Sequence, residues 1–136
     1  MITGGLAKKV TVTDYRRRAV VVTIPFLYPS ENKILSMHFM ARKKEHDRFQ
    51  KNAGVFLKAQ HIQPFTVPVS VSIDLCFIKR RRRDNDNYTG KWLIDSIVKA
   101  GILPDDSTKW IPAAPDILIL DGEPEDKIVM QLCSWP

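Results

Sequence analysis

The chain has 136 residues, 44% of them hydrophobic, 9% aromatic and 26% charged, with a net charge of +6. That length allows one domain, and the aromatic and apolar content excludes general disorder. Two cysteines as far apart as Cys76 and Cys133 make no disulfide framework and fit no zinc spacing.

The N-terminal residues 1–12 lack the apolar core of a signal peptide. The longest mostly apolar stretch, 19–28, is about half the length that crosses a bilayer. The expectation is a soluble, cytoplasmic protein with free thiols and no membrane partner.

In chain order, 9–13 alternates weakly and reads as a short strand or arm. The basic residues Arg16, Arg17 and Arg18 follow it. Residues 19–24 are rich in Val and read as a strand with both faces covered. Pro25 and Pro29 end it, and Pro29, Ser30, Glu31 and Asn32 read as a turn. Ser36 is a candidate N-cap for a helix over 39–59, whose inward stripe is Phe49, Ala53, Phe56 and Leu57. Gln63 and Pro64 break it. Across 67–77, Val67, Val69, Val71, Ile73, Leu75 and Phe77 alternate with Pro68, Ser70, Ser72 and Asp74, which predicts a long strand with one face on the core.

Five consecutive cations follow: Lys79, Arg80, Arg81, Arg82 and Arg83. Asp84, Asn85, Asp86 and Asn87 come next. Spacing over 91–100 predicts a helix with Leu93, Ile94, Ile97 and Val98 inward. Asp86 or Asn87 would be its N-cap, Gly101 its C′ residue, and Asp95 and Lys99 an i,i+4 pair. Residues 104–106 read as a loop. Residues 116–120 and 127–133 read as strands joined by an acidic turn over 121–126. The order β-α-β-α-β-β predicts an α+β fold, a mixed sheet with two main helices packed on it.

Charge is segregated along the chain, at +12 over residues 1–83 and −6 over 84–136. The first part suits a polyanion and the second collects carboxylates. Asp84 and Asp86 are two apart, so in extended backbone they point the same way. If the segment 110–112 returns beside the long strand, Asp105 and Asp106 come back toward them. Two or three carboxylates suffice for a hard cation such as Mg²⁺. Each feature also has an ordinary reading: a helix cap, a turn, a solvated basic loop.

An EF-hand is excluded, because Tyr88 and Thr89 stand where a ligand and the turn glycine belong. The sequence contains no P-loop and no G-x-G-x-x-G. His38, His46 and His61 lie on or near one helix, with no partner evident from the sequence.

Arg81 to Asn87, then Lys91, Asp95, Lys99, Ala100, Gly101, Asp105 and Asp106, together resemble the RusA family of Holliday junction resolvases. The turn Pro29, Ser30, Glu31, Asn32 is similar to the family's P-S-x-N turn. The resemblance spans roughly 20–133 and is specific over 80–106. It leaves 1–18 as an N-terminal extension and 19–136 as a single RusA-like domain. It implies a homodimeric, Mg²⁺-dependent endonuclease acting on branched DNA such as a four-way junction, commonly of phage or prophage origin, with Mn²⁺ as an alternative ion. Asp84, Asp86 and Asp106 would bind the metal, Asp105 would assist, and Lys91 would be the lysine needed for cleavage. Lys79 to Arg83 and Arg16 to Arg18 would grip phosphates without reading sequence. The family commonly has two residues before that lysine. Here there are three, Tyr88, Thr89 and Gly90, and one extra residue turns a helical side chain by about 100°. The resemblance also admits a junction- or DNA-binding dimer of the same fold that does not cut.

Overall fold

The computed structural model describes residues 17–135. Its elements are β1 (Ala19–Ile24), α1 (Glu31–Ser36), α2 (Phe39–Ala59), β2 (Val69–Cys76), a 3-10 turn (Asn85–Asn87), α3 (Lys91–Lys99), β3 (Asp116–Leu120) and β4 (Lys127–Ser134). The architecture is α+β, as the alternation of patterns predicted, with the short α1 as an additional helix.

The four strands form one mixed sheet in the order β1-β4-β2-β3. β4 lies antiparallel to both neighbours, pairing Val22 with Met130 on one side and Ile73 with Met130 on the other. β2 and β3 are parallel, from Ser72 opposite Asp116 to Cys76 opposite Leu120. Parallel neighbours need a crossover, and α3 supplies it. This topology carries the chain from the C-terminal end of β2 through the basic run and the Asp84–Asp86 segment before it reaches α3.

Alternation in β2 buries Val69, Val71, Ile73 and Leu75, while Ser70, Ser72 and Asp74 point to the other face. Val22, Ile24, Ile128, Met130 and Leu132 join the same core, with Phe49, Ala53 and Leu57 of α2 and Leu93, Ile94 and Ile97 of α3. β1 departs from expectation. It alternates exposed and buried residues, and Val21 is 60% exposed. As an edge strand covered on one side only, it needs apolar residues at alternate positions, and the run of valines overstated its burial.

The helix caps also differ from expectation. Ser30, read as part of a turn, caps α1 by accepting from the Lys33 amide. Ser36 closes the end of α1, donating to the Lys33 carbonyl at 2.7 Å, and His38 caps α2 through Nδ1. Neither Asp86 nor Asn87 caps α3; Gly90 occupies that position. At the other end Gly101 behaves as predicted. It has φ +81, its N–H donates to Val98, and the Ile102 N–H donates to Ile97, which closes the helix in a Schellman motif. Cys76 and Cys133 are both free thiols, and no described helix is long and apolar enough to cross a membrane.

Candidate functional site

The basic run does not form a uniform cationic loop. Arg83 turns inward: its side chain is 6% exposed, and its guanidinium stacks on the Phe77 ring at 3.8 Å and pairs with Asp121. The same Nη1 donates to the Lys79 and Arg81 carbonyls, so the loop wraps around this one side chain. The turn after β3 closes the arrangement. Asp121 accepts from the Arg81 amide, Asp126 accepts from the Ile78 amide at 2.8 Å, and the Glu123 amide donates to Phe77.

Gly122, with φ +66, lies against the Arg80 guanidinium, which occupies the space a Cβ would need. Acids from the negative half of the chain thus hold the cationic loop in shape. Lys79, Arg80, Arg81 and Arg82 remain exposed on its outside. Arg18 is similarly engaged, stacked over Phe65 at 4.0 Å and donating to the Gln63 and Pro64 carbonyls. Arg17 is exposed, and Arg16 lies outside the described residues.

Asp84 and Asp86 follow, both exposed. Asp84 is extended, but Asp86 lies within the 3-10 turn, where the Asn87 amide donates back to Asp84. The alternation that would align two carboxylates in a strand therefore stops between them. Arg82 Nε stands 3.7 Å from Asp84 Oδ1, across side chains that are largely exposed.

Tyr88, Thr89 and Gly90 all precede α3, whose first residue is Lys91. Tyr88 is buried with its ring edge-on to Phe77, and Gly90 packs so tightly that a Cβ there would come within 2.8 Å of Ile73. The N-terminal P-S-x-N turn docks on this segment. The Asn32 amide donates to Asn87 Oδ1 at 2.9 Å, and the Thr89 hydroxyl donates to Glu31.

Lys91 opens α3 and bridges two carboxylates, Asp95 Oδ1 at 3.0 Å and Asp106 Oδ2 at 3.4 Å. Asp95 thus pairs toward the helix N-terminus instead of with Lys99. Its other oxygen lies 3.0 Å from His46 Nε2 on α2. The hydrogen bond to Asp95, with Asp106 adding to it, holds the Lys91 ammonium above its ordinary pKa. Asp105 has a local role: it accepts from Ser107, which lowers its pKa and ties the turn. Asp106 lies on the rim of two neighbouring clefts of about 340 Å³ each, one beside Asp95 and Lys99, the other beside Lys91 and Ile111.

The segment 110–112 does return beside β2, as Trp110 accepts from the Val69 amide. That contact is at the start of β2, whereas Asp84 follows its end. Asp106 is brought to Lys91. Among the described residues no three His, Cys, Asp or Glu side chains are grouped so as to hold a metal ion. The carboxylates of Asp84, Asp86 and Asp106 therefore do not fit a preassembled Mg²⁺ site within one chain.

Glu31 and His46 are among the participants that sequence reasoning did not assign, as are Phe77, Asp121 and Asp126 around the basic loop. Glu31 and His46 lie 58 and 49 positions from their partners Thr89 and Asp95, and nothing local to either residue signals the contact. No family model matches the chain, and no curated protein matches it.

Proposed function

We propose that the protein acts on branched DNA as a structure-specific endodeoxyribonuclease of the Holliday junction resolvase type. The observation that carries this reading is the cationic loop braced on Arg83, which presents four exposed basic side chains immediately before Asp84 and Asp86. Fixing the loop in advance lowers the ordering cost of binding phosphates, and its contacts would be sequence-independent and salt-sensitive. Lys91 is 63% exposed and its longer pair, to Asp106, is open to solvent on both sides, so its ammonium is available to a phosphate oxygen that displaces that contact.

The RusA resemblance adds the reaction class, the homodimer and Mg²⁺ or Mn²⁺ dependence. A C₂ dimer would offer two equivalent sites to a junction of approximate two-fold symmetry. The separation of the carboxylates favours a second reading, a junction- or DNA-binding dimer of this fold that does not cut.

A nicking assay on a synthetic four-way junction, with Mg²⁺, with Mn²⁺ and with chelator, decides between them. The nuclease reading expects metal-dependent cleavage that Asp86→Asn abolishes while junction binding is kept or improved, since a negative charge near phosphates is removed. Binding without cleavage in any metal supports the second reading. Cleavage by Asp86→Asn at the wild-type rate refutes the site assignment.

A further inference from the structure

We propose that the groove between α2 and α3 is a second nucleic-acid contact, a track for the sugar–phosphate backbone of a duplex arm; the proposal rests on the branched-DNA reading above. The groove encloses about 670 Å³, and Lys43, Lys51, Lys58 and Lys99 line it with Asp47 as its acid. At 100° per residue, Lys43, Lys51 and Lys58 fall within about 80° of the helix circumference. Lys43 and Lys58 are about 22 Å apart along the axis, between the rise of about six and about seven base pairs. Lys99 completes the opposite wall from α3. The Lys43–Asp47 pair, at 2.8 Å, is exposed on both sides and so is readily exchanged for a phosphate.

Three features favour a phosphate backbone as the occupant. All the cations are lysines, point charges suited to tracking a polyanion without the fixed geometry an arginine imposes. The lining contains no aromatic side chain to stack on a base or anchor a protein partner. In the middle of the groove lies Gly54, with no atom within 4 Å of where its Cβ would stand. Packing does not require glycine there, and a glycine inside a helix weakens it; what it leaves is bare helix backbone open to close approach. The groove shares Gln50 and Lys99 with the cleft that contains Asp95 and Asp106. A strand lying in it would therefore lead directly to Lys91.

The test is fluorescence anisotropy with a labelled duplex and a labelled four-way junction across a salt series. It compares wild type, K51Q/K58Q/K99Q, K51R/K58R/K99R and the loop variant K79Q/R80Q/R82Q. The glutamine triple is expected to reduce the salt slope by about 2–3 and affinity about tenfold or more, with the arginine triple close to wild type. An unchanged slope and affinity in the glutamine triple, while the loop variant loses binding, overturns the groove and leaves the branched-DNA reading standing. Wild type that binds neither DNA overturns both. Labelled polyglutamate is run in parallel. If the glutamine triple loses that probe but keeps DNA, the groove serves an acidic protein and the proposal fails.

Discussion

Arg83 offers the sharpest quantitative test, because its role differs from that of the cations beside it. Arg83→Ala removes a guanidinium stacked 3.8 Å above the Phe77 ring, a contact worth about 1–2 kcal/mol when desolvated. It also strands Asp121. Breaking a fully buried ion pair costs about 3–5 kcal/mol, but Asp121 is 34% exposed and water recovers much of that. The Lys79 and Arg81 carbonyls belong to exposed residues and rehydrate freely. The net expectation is a loss of about 2–3 kcal/mol, or about 6–12 °C in Tm for a chain of this size.

The loss should be shared with Asp121: in a double-mutant cycle with Asp121→Ala the coupling is expected at about 1 kcal/mol. Thermal denaturation followed by circular dichroism measures both. Arg82→Ala, at a side chain 92% exposed, should leave Tm within a degree or so. A wild-type Tm for Arg83→Ala, or no coupling to Asp121, would refute the idea that this side chain organises the loop.

Two glycines should respond in opposite directions to alanine. Gly90→Ala drives a methyl against the fully buried Ile73 and should cost about 1–2 kcal/mol, whereas Gly54→Ala meets open space and should gain about 0.5–1 kcal/mol. Chemical denaturation of both variants checks the pair. Lys91→Met tests the bridge to Asp95 and Asp106. The folded protein holds Lys91 protonated above its ordinary value near 10.4, so the pairs contribute stability that is complete below that pH and lost as pH rises through the folded value. The wild type should therefore exceed the variant by about 1 kcal/mol at pH 7–9, since Lys91 and Asp106 are exposed and only Asp95 is partly buried. The gap should begin to narrow as pH passes the ordinary lysine value and close only above the higher folded one, and denaturant melts at pH 8 and at a series of alkaline pH values measure it.

Periodicity made most of the scaffold legible. The alternating residues of β2 and the span of α2 are properties of a few neighbouring positions, because backbone geometry alone decides which side chains share a face. Gly101 was readable for the same reason, since a left-handed C′ residue is a local requirement. The basic run and the D-x-D that follows it were also visible, but not their division of labour. Arg83 is set apart from Arg82 chiefly by Phe77 and Asp121, and Asp121 lies 38 positions away.

From the residues alone came the alternating buried face of β2, the span of α2 and the adjacency of the cations to two acids, but not the exposure of Val21 and Phe56, both of which were expected to be covered. Only the tertiary structure decided which charge meets which: Arg83 with Asp121, Lys91 with Asp95 and Asp106, His46 with Asp95, and Glu31 with Thr89. The reason is physical. Burial follows from a pattern written every two or 3.6 residues, whereas a side chain's charge carries no address. Its partner is fixed by how loops at the end of β2, the start of α3 and the β3–β4 turn converge once the sheet order is set.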